Sequence, residues 1–158
     1  MHSRIYQVSS SPVKEEDKIR EYRYEDDFVG RVADYVSEVT SETDIESDLE
    51  WLSSANKGIK VDVENRTITV TSKKEYFESK HEKFQELAEK MSRITLEEFT
   101  TEKSYFDFYE LKSMYDDKYG FYIDDNYEYT GLTSIDSWVR NAEENKEYHI
   151  GSVFDYHF

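Results

Sequence analysis

Hydrophobic positions along this chain alternate between two periods, and the changes of period predict its elements. Ser3 to Val8, carrying Ile5 and Val8, reads as a first strand that breaks at Ser9-Ser10-Ser11-Pro12. Pro12 suits the first position of a short helix. Phe28, Val29, Val32, Val36 and Val39 then recur at helical spacing, with Ala33 and Tyr35 beside them, which predicts an amphipathic helix. Ile45, Leu49 and Leu52, with Trp51 alongside, predict another that stops at Asn56-Lys57-Gly58.

The period then falls to two. Ile59-Lys60-Val61-Asp62-Val63 and Thr67-Ile68-Thr69-Val70-Thr71 alternate around a turn-like Glu64-Asn65-Arg66, which predicts a hairpin. Ser72 and Glu75 have the spacing of a capping box, so a helix is expected to start there and run to about Ile94. Its apolar stripe is Phe77, Phe84, Leu87, Ala88 and Met91. Thr95-Leu96-Glu97-Glu98 repeats the capping signature, and Ser104 to Tyr115 reads as a helix with Tyr105 or Phe108, Leu111 and Met114 inward.

Phe121-Tyr122-Ile123, Asp124-Asp125-Asn126 and Tyr127-Glu128-Tyr129 read as strand, turn and strand of a second hairpin. Thr133 is placed to cap a short helix through Ile135, Trp138 and Val139. Tyr148 to Phe158 has strand character, and pairing with the first strand is expected. Hairpins mixed with helices, without regular βαβ alternation, predict a single-domain α+β fold. Its sheet should be mostly antiparallel, with hairpins packed against several amphipathic helices.

Composition sharpens this picture in two ways. A hydrophobic fraction of 37% is low, but aromatic residues make up 16% of the 158 positions, far more than disordered acidic segments carry. A folded chain follows. The absence of cysteine rules out disulfides, a thiol nucleophile and thiolate metal sites, and fits a reducing compartment. The first residues carry no apolar run of the signal-peptide kind, and no stretch approaches the ~18 apolar residues of a membrane span. A cytoplasmic location is therefore expected.

Charge adds a function class. The net charge is −16, from 36 acidic and 20 basic side chains. Between Glu15 and Glu50 there are fourteen acids and four bases, between Trp51 and Lys103 ten of each, and beyond Lys103 twelve acids and four bases. Such a balance repels nucleic acids and anionic membranes and favours a basic protein surface as partner. Asp34, Glu38, Glu42, Glu46 and Glu50 fall at every fourth position. On one helix they would form a carboxylate stripe with roughly 6 Å steps, comparable to phosphate spacing. Thr40-Ser41 is a candidate break that would split the row, and the solvated side of an amphipathic helix gives the same pattern.

A second candidate is the aromatic and acidic cluster from Tyr115 to Tyr129. It holds Tyr115, Tyr119, Tyr122, Tyr127 and Tyr129 with Asp116, Asp117, Asp124, Asp125 and Glu128. Tyrosine gives an interface buried area and a polar tip, and beside carboxylates it receives Arg or Lys. An ordinary hairpin packing its tyrosines on a core fits as well, and Tyr122 is expected there. Partner contacts are thus expected at Asp34, Glu38, Glu42, Glu46, Glu50, Tyr115, Asp116, Asp117, Asp124, Asp125, Tyr127 and Glu128. No cofactor or metal is expected. Asp124-Asp125-Asn126 lacks the spaced ligands and closing Glu of a calcium loop, and His2, His81, His149 and His157 have no paired ligand spacing. No phosphate-binding glycine loop or nucleophile elbow stands out.

In charge and size the chain resembles the small acidic inhibitors that phages and mobile elements direct against host defence, the anti-CRISPR and antirestriction proteins. That resemblance implies a stoichiometric, non-enzymatic binder of a nucleic-acid-handling protein such as a nuclease, either by DNA mimicry or by clamping a nuclease domain. It implies no particular topology. An acidic interaction module or assembly subunit is the alternative, and a hydrolase with an unrecognised carboxylate pair is the third.

Overall fold

The computed structural model describes residues 1–115 and 117–158, so Asp116 lies outside the described residues. Among them the strands form one seven-stranded sheet. They are β1 (His2–Ser9), β2 (Tyr35–Glu38), β3 (Ile59–Asp62), β4 (Thr67–Val70), β5 (Tyr122–Asp124), β6 (Leu132–Ser134) and β7 (Glu147–His157). The helices are α1 (Glu42–Ala55), α2 (Lys73–Ser92), α3 (Leu96–Phe99), α4 (Tyr105–Ser113) and α5 (Ile135–Asn141). No helix among the described residues is long and apolar enough to cross a membrane.

The order β3-β4-β7-β1-β5-β6 places β7 at the centre, with β2 on its second half. One edge of β7 is shared: β4 pairs with it from Glu147 to His149 and β2 from Phe154 to His157. Its other edge carries β1 along its whole length. Only β1 and β5 run parallel, so the sheet is mostly antiparallel and the α+β expectation holds. Pairing jumps from Tyr6–Val153 to Val8–Ile150, which leaves one extra β7 residue opposite Gln7. The buried Gln7 amide repairs that break. It accepts from Ser152 and Ile19 backbone amides at 3.1 and 3.0 Å and donates to the Asp17 carbonyl at 2.8 Å.

Strand alternation divides the interior in two. Tyr6, Val8, Ile68, Val70, Ile123, Ile150 and Val153 turn to the face covered by α1 and α5, where Ile45, Leu49, Leu52, Trp138 and Val139 meet them. Ile5, Phe154 and Tyr156 turn the other way, onto Ile19, Tyr24, Phe28 and Ala33. The helix expected over Phe28 to Val39 is therefore absent. Gly30 takes a φ of +82°, and the chain folds back so that its amide donates to Ala33 at 2.8 Å. Val36 then enters β2. The valines fit an extended, half-buried surface, and spacing alone did not separate that from a helix.

Other boundaries moved for local reasons. The segment after Pro12 forms only two short 3-10 turns, Glu15–Asp17 and Glu21–Tyr24. Ser72 caps α2 by accepting from Glu75, but its own amide already donates to Gly58, so the reciprocal half of the box is unused. Thr95 and Glu98 make the complete box. Ser134, not Thr133, caps α5 by accepting from Ser137. The second hairpin pairs β5 with β6, so Tyr127, Glu128 and Tyr129 belong to its connecting loop and not to a strand.

Candidate protein-binding surface

The carboxylate row does not survive folding as one stripe. Asp34 precedes β2, Glu38 ends it, and only Glu42, Glu46 and Glu50 share α1, which starts after the Ser41 cap. Two of the five have cationic neighbours in the chain itself, and a third lies against an imidazole. Glu42 meets Arg66, Glu38 meets Arg20 at 3.3 Å, and Asp34 lies 3.3 Å from His157. Glu46 and Glu50 are exposed and form no ion pair among the described residues. The other acid of this helix that matters, Asp48, is buried and held by Arg4 at 2.7 Å. Burial works against the Arg4 charge, but Asp48 and Asp155 more than offset it and raise its pKa.

Asp124 and Asp125 correct the expectation of direct contact. Both are buried. Asp124 sits on the second face of the sheet, where Arg23 grips it with Nε at 2.7 Å and Nη2 at 3.1 Å, and the Tyr24 hydroxyl donates to it at 3.3 Å. Burial, with the Asp124 charge beside it, drives the Tyr24 pKa far above the usual phenol range. Asp125 shapes the loop: its Oδ2 accepts from the Tyr129 and Thr130 amides at 3.0 and 2.7 Å, and its Oδ1 from Gly131. These two carboxylates hold the surface from beneath.

What they hold is Tyr127. Asn126 and Tyr127 have φ of 51° and 63°, a left-handed conformation that is uncommon for a bulky side chain and is maintained here by the Asp125 bonds. The Tyr127 ring lies over Gly131, where any Cβ would approach within 2.9 Å, and the Arg23 guanidinium stacks on it at 4.6 Å. It nevertheless stays 77% exposed, and Tyr129 71%. Glu128 reaches back to the residue after β1, accepting from the Ser10 amide at 3.0 Å and from its hydroxyl. Partial burial opposes its charge, but those hydrogen bonds prevail and lower its pKa.

Arg23 joins this loop to a surface that residue spacing did not single out. It follows Tyr22, which is 70% exposed, and is followed by Glu25, Asp26 and Asp27, all exposed and without an ion pair among the described residues. The sequence signal for this run was the acid density between Glu15 and Glu50, whereas the four-residue spacing pointed to α1 instead. Tyr115 and Asp117 lie elsewhere. Arg140 is sandwiched between Tyr115 and Phe77, each 4.7 Å away, and Asp117 Oδ1 accepts from the Tyr119 amide at 3.1 Å. Tyr122 packs on Phe28 as expected, with ring centroids 4.9 Å apart.

The titratable groups gather no metal site: among the described residues no three His, Asp or Glu are placed to hold an ion. Asp136 is the one acid whose interior position leaves an oxygen unused among those described. Its Oδ1 accepts from Tyr76 at 2.6 Å and meets Lys80 Nζ at 2.5 Å, while Oδ2 has no partner. Set beside known protein families, characterised proteins and solved structures, the chain matches none.

Proposed function

We propose that the protein is a stoichiometric binder of a basic protein surface, of the kind that nucleic-acid-handling enzymes present to phosphates. One observation carries this reading: exposed Glu25, Asp26 and Asp27 form no ion pair among the described residues, and they adjoin Tyr22 and, through Arg23, the held-out Tyr127. Repulsion among such carboxylates is relieved when a partner's Arg and Lys approach, and the tyrosines add desolvated contact area. The net charge of −16 steers the encounter. Under this reading a nuclease of host defence, such as a CRISPR effector or restriction enzyme, is inhibited by occupation of its nucleic-acid site, and the chain itself binds no DNA.

The test is inhibition of DNA cleavage by candidate nucleases at equimolar protein, with binding measured at low and high salt. Glu25→Lys/Asp26→Lys/Asp27→Lys is expected to abolish binding, whereas Glu46→Lys/Glu50→Lys on α1 reduces it less. Unchanged binding by the first variant, or binding insensitive to salt, overturns the proposal. A second reading, an assembly subunit, draws on a different observation: the aromatic surface of α3 and α4.

A further inference from the structure

One face of α2 has a chemistry unlike the rest of this acidic chain. Phe77, Lys80, His81 and Phe84 recur at i, i+3, i+4 and i+7, so they share one side of the helix. Across from them stand Met114 and Tyr115, where the chain leaves α4, and Arg140 near the end of α5. Together these side chains line a single groove of about 250 Å³. Its walls are rings and aliphatic groups, and no carboxylate lines it among the described residues. On a chain with 36 acids and a net charge of −16, that is an exception.

Arg140 decides what the groove can hold. Its guanidinium lies 4.7 Å from the Phe77 ring and 4.7 Å from the Tyr115 ring, so two rings fix its place. Its backbone is fixed too, because the Arg140 carbonyl accepts from Lys73 Nζ at 2.9 Å and ties α5 to the start of α2. Arg4, Arg20, Arg23, Arg66 and Arg93 all pair with carboxylates of this chain. Arg140 has no ion pair, and its N–H groups have no acceptor, among the described residues. Lys80 is different: it is committed to Asp136, and its stem only adds to the wall. A stacked arginine has already lost the rotamer freedom that binding would otherwise cost, and it keeps an unused planar fork of donors.

We propose that the groove binds a small carboxylic acid with an apolar body, its carboxylate on the Arg140 fork and its chain along Phe77, Phe84 and Met114. Three constraints select this class. The unpaired guanidinium calls for an anion, and its in-plane donors match the two oxygens of a carboxylate. The field of a −16 chain opposes multiply charged anions such as nucleotides, which favours a single negative charge. The volume lies just below the ~300–1,000 Å³ of drug-sized sites, and the walls reward burial of carbon. This site is separate from the acidic surface and does not depend on the reading given to it.

Titration with octanoate, followed through the methyl signals of isotope-labelled methionine, decides it. Of Met1, Met91 and Met114, Met114 alone lines the groove. Its signal is expected to shift saturably while the other two stay in place. The uncharged chain of equal length, 1-octanol, is expected to bind at least ~10-fold more weakly, the equivalent of the lost charge-assisted hydrogen bonds. Inorganic phosphate, an anion without the chain, is expected to leave Met114 where it is. Arg140→Gln is expected to weaken octanoate by a similar factor, with circular dichroism unchanged. Phe84→Glu sets a carboxylate in the groove and is expected to abolish octanoate binding; it decides the matter should Arg140→Gln disturb folding. No saturable shift of Met114 overturns the proposal, and so does octanol or phosphate binding as tightly as octanoate. Octanoate affinity unchanged in whichever variant folds also overturns it, as the mark of an adventitious additive only.

Discussion

The aromatic residues around β7 and those of α3 and α4 are the same side-chain types set to opposite tasks. Tyr24, Phe28, Phe154 and Tyr156 are at most 2% exposed and meet edge to face, with centroids about 5 to 6 Å apart. Strand alternation delivers Phe154 and Tyr156 to one side, and an irregular segment, not a helix, closes over them. On α4 the helix docks by its ion-paired side and leaves its rings in water. Apolar content alone therefore does not locate a core. What decides is whether a neighbouring element covers the apolar face.

The sharpest way to break this contrast is to truncate one ring on each side of it. Phe154→Ala removes a fully buried ring and is expected to destabilise the fold by about 3–5 kcal/mol, read as a shift of the urea midpoint at unchanged slope. Arg23→Met follows at about 3 kcal/mol, the low end because the guanidinium is partly exposed. It strands the buried Asp124 charge under the loop, and proteolysis between Asn126 and Gly131 is expected to accelerate with it. Phe106→Ala closes the series. Its ring is 79% exposed, and the change is expected to alter stability by less than about 0.5 kcal/mol. A large loss for Phe106→Ala would mean that α3 and α4 carry a core of their own, and the comparison would fail.

Local rules made much of the fold legible. Alternation from Ile59 to Thr71 located β3 and β4, Ser72 marked where α2 starts, and Thr95 with Glu98 wrote the α3 cap into four residues. The carboxylate row and the helix over Phe28 to Val39 failed for one shared reason. Both rest on spacing that a strand following a turn at Gly30 also produces. The candidate surface was only half legible. Acid density and clustered tyrosines pointed to the two segments, but Asp124 gave no sign of being interior. Its partner Arg23 lies 101 residues earlier and arrives only through the packing of residues 14–34 on the sheet. On α4 the spacing predicts Tyr105 or Phe108 inward, because an aromatic stripe on a helix ordinarily faces its own core, but both are exposed.

The position of β7 has a consequence for biosynthesis. β1, β2 and β4 all pair with a strand that the ribosome makes after each of them. Until it emerges they have open edges and the irregular segment over Phe28 has no floor, so the nascent chain holds its sticky strands unsatisfied until β7 is made. Maturation is thereby deferred until β7 has been made, and a message truncated before the codon for Glu147 yields a polypeptide for quality control to degrade.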